Sequence, residues 1–185
     1  MDKSELRRKM RSLQRALPPE ERRRTDSAIC AHIINSKEYR RAESVFAFVG
    51  TDWEIDTKPL LMQALRDGKR LLLPRVREKP RMDAVEISSF SELTRDIYGI
   101  PAPASELPAA KPDDIDLVLV PCVAAKRDGF RLGQGGGYYD GFLANYSGTS
   151  LLLARECAVL GVLPLEAHDE RCSVLVTENG FFYSR

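Results

Sequence analysis

A cluster of glycines in the last third of the chain has the composition of a phosphate-binding loop. Four glycines fall within residues 133–137, Arg131 precedes them, and Tyr138, Tyr139 and Asp140 follow. Glycine lets backbone amides approach a bound anion closely, and a helix beginning at Tyr138 would direct its positive end to the same place. Arginine can bind phosphate through two parallel hydrogen bonds, and an aromatic ring can stack on a flat heterocycle. The segment therefore predicts a polyphosphate site.

This segment matches neither of the two most familiar phosphate-binding fingerprints. No Gly-Lys-Ser/Thr follows it, and Tyr138 stands where Gly-x-Gly-x-x-Gly would need a glycine. A flexible surface hairpin is the alternative interpretation of the glycines alone. The arginine, tyrosines and aspartate around them favour a binding site.

Carboxylates close to the glycines could hold a divalent cation. A carboxylate beside bound polyphosphate is what Mg²⁺ requires, and Asp140 directly follows the tyrosines. The acidic segment 166–170 supplies candidates for a second ligand, among them Asp169. The alternatives are that Asp140 only complements a helix dipole and that the acidic segment is a solvated loop. His168 has no further soft ligands at zinc spacing, so the sequence predicts no zinc site.

Charge is balanced over the whole chain but concentrated at its beginning. Lys and Arg total 28 against 27 Asp and Glu, so no global field favours nucleic acid or an anionic membrane. Residues 1–24, however, hold nine cations and four anions. An RNA-binding module that uses this basic helix, with the tyrosines as stacking platforms, is therefore a rival interpretation. The near-zero total charge argues against it.

The elements that must position these residues indicate an α/β protein. Short continuous apolar runs predict strands buried on both faces at residues 45–49, 71–73, 117–120, 151–154 and 174–177. Amphipathic periodicity predicts helices at residues 3–17, from residue 19, from residue 57 to 67, and at residues 138–145. We therefore expect one domain over residues 1–185, a three-layer α/β sandwich with a mostly parallel central sheet and helices on both faces.

Two segments and one helix face carry further expectations. Residues 82–87 alternate weakly and predict an edge or antiparallel strand, and the proline-rich residues 99–113 predict an extended surface connection. Leu6, Met10, Leu13 and Leu17 predict the apolar stripe of the first helix.

Several of these segments, taken in order, resemble the 5-formyltetrahydrofolate cyclo-ligase family, also called the methenyltetrahydrofolate synthetases. The segments that carry the resemblance are Lys3-x-x-x-Arg7, residues 53–57 (WEIDT), 73–75 (LPR), 98–101 (YGIP), 127–140 (RDGFRLGQGGGYYD) and His168-Asp169. They span nearly the whole chain, and RLGQGGGYYD is the most specific of them.

The resemblance implies an activity. It implies ring closure of 5-formyltetrahydrofolate to 5,10-methenyltetrahydrofolate, with ATP as co-substrate, Mg²⁺ as cofactor, and ADP and phosphate as products. It also implies that ATP phosphorylates the formyl oxygen, after which N10 attacks the activated carbon and phosphate leaves. A non-catalytic relative that binds nucleotide without turnover is the alternative.

The resemblance also implies site residues. Arg131 and Lys3 would be catalytic, and Asp140 and Asp169 would hold the metal. The implied ATP contacts are Lys3, Ser4, Glu5, Leu6, Arg7, Arg131, Leu132, Gly133, Gln134, Gly135, Gly136, Gly137, Tyr138 and Tyr139. The implied folate contacts are Val49, Glu54, Gln134, Gly135, Gly136, Gly137 and Tyr138.

Two positions depart from the family pattern, and both bear on the folate end of the site. Cys172-Ser173 stands where the family usually has an aspartate before the last strand, and Arg155 stands where it usually has phenylalanine after the strand at 151–154.

Two other residues keep alternative interpretations. Glu54 could be a helix-entry carboxylate without a ligand, and Trp53 either is exposed beside Glu54 or covers the end of the sheet.

The expected partners are small molecules, with no nucleic acid and no membrane. The first residues carry charge without a following apolar stretch, and no run approaches the ~20 apolar residues of a membrane helix. We therefore expect a cytoplasmic monomer.

Overall fold

The computed structural model describes residues 1–104 and 106–184, and an eight-stranded sheet forms the centre of this part of the chain. The strands are β1 (Ser44–Phe46), β2 (Arg70–Val76), β3 (Met82–Ile87), β4 (Leu93–Arg95), β5 (Pro101–Pro103), β6 (Ala109–Ala110), β7 (Leu117–Val120), β8 (Ala124–Ala125), β9 (Arg131–Leu132), β10 (Thr149–Leu153), β11 (Val174–Thr177) and β12 (Gly180–Tyr183). The large sheet has the order β12-β11-β10-β7-β1-β2-β3-β6. Two small ribbons, β4-β5 and β8-β9, lie outside it.

The centre of the sheet is parallel and its edges are antiparallel. β11, β10, β7, β1 and β2 pair in parallel, whereas β12, β3 and β6 run against their neighbours. Parallel strands are joined by crossover connections, which pass over the faces of the sheet and usually contain helices. The predicted α/β class with a mostly parallel sheet is confirmed.

Five α-helices surround the sheet in the described residues. They are α1 (Lys3–Ala16), α2 (Pro19–Asn35), α3 (Lys37–Arg41), α4 (Lys58–Arg66) and α5 (Tyr138–Leu143). Single 3-10 turns occupy Phe90–Glu92, Pro112–Asp114 and Glu156–Ala158. The apolar faces of α2 and α4 cover one side of the sheet and α5 lies on the other. Within each of the five parallel strands the buried apolar residues alternate between these two cores, as the period of two requires.

Helix α1 lies beyond the end of the sheet and contributes to a third apolar cluster. Leu6 and Met10 are buried there as predicted, but Leu13 is 42% exposed. The buried position of the next turn is Gln14, which donates to the carbonyl of Val123 and accepts from Arg155. The predicted stripe is therefore wrong at Leu13, because the interior at that turn is polar.

Most predicted strands match the structure, with differences at their ends. β7 and β11 span the predicted residues. β1 ends at Phe46, before the predicted boundary, because the chain leaves the sheet after Ala47 to form the loop that leads to α4. The sequence analysis missed β12, which forms a hairpin with β11. Its signal was Asn179-Gly180, a hairpin-turn pair between two apolar runs.

The chain order places a crevice at one end of the sheet. From β1 the chain proceeds to β2 on one side, and later to β7, β10 and β11 on the other. In open α/β sheets, ligands bind beyond the carboxyl ends of the strands at such a reversal. Every helix in the described residues is too short or too polar to cross a membrane.

Candidate active site

A deep cleft of about 1080 Å³ opens at the carboxyl ends of β1, β2 and β7. Its walls come from segments that are far apart in sequence. These are the amino end of α1, the residues that follow β1, the end of the β2–β3 hairpin, residues 131–140, and residues 164–169. The glycine segment therefore borders a cavity, and the surface-hairpin interpretation does not hold.

Backbone conformation explains two of the glycines in this wall. The segment leaves β9, turns through Gly135 and Gly137 with φ values of 97° and 70°, and enters α5. Both values lie in the left-handed region that glycine adopts without strain. Because α5 has only six residues, its dipole is small. The loop amides and nearby cations must therefore supply most of the positive potential.

Arg131 lies in the floor of the cleft with both ends of its guanidinium occupied. One Nη donates to the carbonyl of Glu170 and the other to Oδ1 of Asp140, each at 2.8 Å. Oδ1 of Asp140 also accepts the amide of Glu170 at 3.1 Å. The arginine is only 6% exposed, so little of it faces the cleft. Its main effect on the cleft is to hold Asp140 in place.

The amino end of α1 brings two further cations to the cleft. Nζ of Lys3 contacts Asp169 at 2.8 Å and Glu166 at 3.1 Å. Burial opposes the charged form of Lys3, but these carboxylates outweigh it and raise the pKa of the amine. Nε of Arg7 donates to the carbonyl of Gly133 at 2.8 Å. The basic first helix is thus joined to both the acidic and the glycine-rich walls.

Not every residue of the predicted ATP contacts borders the cleft. Lys3, Ser4 and Arg7 line it, but Glu5 is exposed to solvent outside it and Leu6 is buried in the third apolar cluster. Each residue of a helix is rotated by ~100° from the one before, so five consecutive residues cannot share one face. All the predicted residues between Arg131 and Asp140 line the cleft.

Two of the predicted folate contacts lie at the side of the cleft that follows β1, and the others belong to the glycine segment. Val49 and Glu54 both line it. Oε2 of Glu54 accepts from the amide and hydroxyl of Thr51 at 3.0 and 2.8 Å, and Oε1 accepts from Nε2 of Gln134 at 3.2 Å. Since α4 begins only at Lys58, Glu54 is not a helix-entry carboxylate. Gln134, held in turn by Arg11, links the glycine segment to this side of the cleft.

The two tyrosines of the glycine segment have different surroundings. Tyr139 stacks on the core residue Phe46 with ring centroids 6.3 Å apart, and its buried hydroxyl has no partner among the described residues. The hydroxyl of Tyr138 meets that of Tyr98 at 3.1 Å, and this hydrogen bond, with burial, raises the pKa of Tyr138 to about 12. Tyr98 was not among the predicted site residues and carried only the resemblance of the YGIP segment. In the structure it lines the cleft.

Both carboxylates predicted to bind metal lie in the cleft, but in different settings. Asp140 is paired with Arg131, whereas Asp169 is paired with Lys3. Burial disfavours the charged form of Asp169, but hydrogen bonds from Lys3 and the Glu166 amide keep its pKa below the usual value. Among the described residues, Glu166, His168 and Asp169 offer ligand atoms within 4.8 Å of one another. Carboxylate oxygens are ligands that Mg²⁺ accepts, so the carboxylates of Asp140 and Asp169 are suitable in type. The cluster of close ligand atoms contains Asp169 but not Asp140.

The positions that depart from the family pattern do not enter the cleft. Arg155 is 1% exposed and lies beneath the site, where it pairs with Asp26. Ser173 exchanges hydrogen bonds with Ser150 at the far end of β10. Trp53 is 5% exposed and belongs to the apolar cluster around α1, so the expectation of an exposed ring is wrong and a covering role is correct. Trp53 stands next to polar residues in the sequence, and no pattern there predicted its burial.

Known proteins resemble this chain over nearly its whole length. The profile of the 5-formyltetrahydrofolate cyclo-ligase family matches residues 1–178. An Escherichia coli K12 protein named 5-formyltetrahydrofolate cyclo-ligase is 30% identical over 91% of this chain and 96% of its own. A Caenorhabditis elegans protein named probable 5-formyltetrahydrofolate cyclo-ligase is 29% identical over 95% of this chain and 92% of its own.

A solved structure agrees with these relatives. The NMR structure of Aquifex aeolicus 5,10-methenyltetrahydrofolate synthetase superimposes with a TM-score of 0.89 and 34% identity, covering 100% of this chain and 94% of that one. Sequence and fold thus lead to the same group of proteins. The chain belongs to the 5-formyltetrahydrofolate cyclo-ligase family.

Proposed function

We propose that this protein uses ATP to close 5-formyltetrahydrofolate to 5,10-methenyltetrahydrofolate, releasing ADP and phosphate. The observation that carries the proposal is the convergence of three distant segments on one cleft. The cations of α1, the glycine segment and Glu54 all border it. Family membership supplies the substrate and product, which are those named for the relatives.

The size of the cleft supports a reaction between two substrates. Pockets for a single small ligand usually enclose ~300–1,000 Å³. The present cleft, at about 1080 Å³, lies at the upper end of that range. A nucleotide on the glycine side and a folate on the Glu54 side would lie next to each other, as direct phosphoryl transfer requires.

The proposed chemistry solves a leaving-group problem. The formyl oxygen of an amide leaves poorly, so the γ-phosphoryl group of ATP is transferred to it and ADP departs. N10 of the folate then attacks the formyl carbon, a C–N bond forms, the C–O bond to phosphate breaks, and N10 loses its proton. Little covalent chemistry is left for the protein, whose part is to align the two substrates and offset negative charge.

Individual residues have distinct parts in this proposal. Lys3, Arg7 and the amides of residues 133–137 bind the phosphates. Arg131 holds Asp140 through its present hydrogen bond and directs positive charge at the cleft. Asp140 and Asp169 would hold Mg²⁺, which supplies charge neutralisation on the terminal phosphates when bound. Each carboxylate now has a cation as its partner, so ligand binding exchanges protein ion pairs for ligand contacts.

The direct test is to mix purified protein with ATP, Mg²⁺ and 5-formyltetrahydrofolate and to follow the near-ultraviolet absorption band of the methenyl product. We expect the band to grow only when ATP is present. Folded protein that gives no band would contradict the proposal. Calorimetry with ATP, with and without the folate, would then identify a relative that binds nucleotide without turnover. A cytoplasmic location and a monomeric state stay predictions.

A further inference from the structure

A buried arginine outside the cleft holds the backbone that carries Glu54. Arg155 follows β10, and a guanidinium offers five N–H donors in a planar fork. Here all five have acceptors at 2.8–2.9 Å. The acceptors are both oxygens of Asp26, Oε1 of Gln14, and the carbonyls of Trp53 and Glu54.

The same ion pair reaches a third backbone group in that segment. Oδ2 of Asp26 also accepts the amide of Asp56 at 3.0 Å. Two consecutive carbonyls and one amide between residues 53 and 56 are therefore bound to Arg155 and Asp26. The carbonyls of Trp53 and Glu54 both accept hydrogen bonds from the guanidinium. Arg155 therefore fixes the direction in which the Glu54 side chain leaves the backbone.

Stability alone does not account for this arrangement. Replacing a buried ion pair by apolar residues of similar volume is often neutral for folding or favourable. An apolar side chain, however, cannot bind two successive carbonyls. The planar fork of Arg155 provides this directional contact, and it does so under the wall of the cleft that contains Glu54.

We propose that Arg155, together with Asp26, is a positioning residue that sets folate affinity by holding the backbone from which the Glu54 carboxylate projects, without contacting either substrate. This inference rests on the proposed function, in which Glu54 contacts the folate. ATP binding should depend far less on Arg155. Arg155 reaches α1 through its bond to Gln14 and through Trp53, which packs with Leu6 and Met10 in the third apolar cluster. Arg7 holds the same helix to the glycine segment without Arg155, through the carbonyl of Gly133.

Two variants and one control separate positioning from general stability. Arg155→Lys keeps the charge but loses the fork, and the double replacement Arg155→Met with Asp26→Leu removes both charges together. Arg75→Lys is the matched control. Arg75 is also buried at 7% exposure, pairs with Asp83 and binds the carbonyls of Ala104 and Leu107, but it lies outside the cleft.

The measurements are KM and kcat for each substrate and the emission of Trp53, which is the single tryptophan of the chain. In Arg155→Lys we expect KM for 5-formyltetrahydrofolate to rise by ~10-fold or more, since a displacement of ~1 Å can cost ~100-fold. KM for ATP should change by less than ~2-fold. Trp53 emission should shift to the red as its loop loosens, and saturating folate should reverse the shift. Arg75→Lys should lower thermal stability and leave both KM values and the emission unchanged.

Each other outcome overturns the inference. An unchanged KM for folate in a folded variant, or an equal rise in both KM values, would show that Arg155 serves the fold alone, as would failure of both variants to fold. Wild-type protein without a methenyl band would refute the proposed function instead. The positioning role would then be judged by calorimetric titration with 5-formyltetrahydrofolate, where equal affinities of wild type and variant overturn it.

Discussion

The charged residues of the cleft neutralise one another. Lys3 pairs with Asp169, and Arg131 pairs with Asp140. Each pair joins a residue proposed to face phosphate to a residue proposed to hold metal. Such pairing keeps partly buried charges from being left alone, which would be costly. If the proposed function is correct, we expect ATP and Mg²⁺ to bind better together than either does alone, because each would leave one charge of these pairs without its partner.

Replacing Asp140 tests the metal-binding role of its carboxylate. Asp140→Asn retains an oxygen for Arg131 but loses the negative charge. We expect kcat to fall by ~100-fold or more, as happens when one electrostatic stabiliser of a transition state is removed. Turnover is measured by methenyl absorbance, and folding by circular dichroism.

Asp116→Asn is the control for this variant. Its carboxylate accepts the amides of Glu43 and Ser44 at the opposite end of the sheet. It should lower stability and leave kcat unchanged. An Asp140→Asn protein with wild-type turnover would rule out the metal role.

The ion pair between Lys3 and Asp169 predicts a defined pH dependence of stability. The folded-state pKa of Asp169 lies below its ordinary value of 3.8, so its contribution is complete above that pH and is lost as pH falls through the lowered pKa. The pKa of Lys3 lies above 10.5, so its contribution is lost only as pH rises through the raised pKa. Between these limits, Lys3→Met should lower the free energy of unfolding by ~1–2 kcal/mol.

Urea unfolding at several pH values measures this difference. The gap between wild type and Lys3→Met should be constant near neutrality and close below the lowered pKa of Asp169. Lys9→Met, on the exposed face of α1, serves as the control and should change stability by less than ~0.5 kcal/mol. A gap that persists in strong acid would contradict the pairing.

Among the structural elements, the glycine segment between β9 and α5 contains glycines of two kinds. Gly135 and Gly137 need positive φ, and a Cβ on Gly136 would lie 2.6 Å from the ring of Tyr138. These three are required by the loop itself. Gly133 has no such requirement, since a Cβ there would meet nothing within 4 Å. Gly133 borders the cleft, so under the proposed function we expect its backbone to be approached by the phosphates.

Gly133→Ala therefore separates binding from folding. We expect KM for ATP to rise by ~10-fold or more with little change in melting temperature, because the methyl group would occupy space next to the phosphates. Gly161→Ala, which also meets nothing within 4 Å but lies outside the cleft, should change neither quantity. Equal KM values for ATP in the two variants would show that the phosphates do not bind at this part of the loop.

For the molecule as a whole, the cleft is the place where three separate parts of the chain depend on one another. α1, the glycine segment and residues 164–169 meet there through Arg7, Lys3 and their partners. A ligand that binds all three stabilises only the folded state, because the unfolded chain does not bring them together.

ATP with Mg²⁺ should accordingly raise the melting temperature. At a concentration ~100 times the dissociation constant the gain is ~2.7 kcal/mol, or about 5–10 °C for a chain of this length. AMP lacks the terminal phosphates and should produce a much smaller shift at equal concentration. Equal shifts for the two nucleotides, read by differential scanning calorimetry, would contradict phosphate binding at the α1 side.

Local signals in the sequence were sufficient for the fold class and for the glycine loop that borders the cleft. Buried parallel strands are continuous apolar runs, so β7 and β11 could be assigned to the residue. The glycines of residues 133–137 mark a loop because their backbone requirements are local. Because ligands in open α/β sheets lie beyond the carboxyl ends of the strands, the same segment was the predicted binding site.

Pairing across the chain could not be read in this way. Trp53 is buried because it packs against α1. On the inner face of α1, Gln14 is buried in place of Leu13 and accepts a hydrogen bond from Arg155. Asp169 is held by a lysine 166 residues away. A hydrogen bond or ion pair depends on the distance between two side chains, and for residues this far apart that distance is set by the packed fold. The types of residue in the site are thus known from the sequence. Which of its charges pair, and how Arg155 supports the backbone of Glu54, are decided only by the tertiary structure.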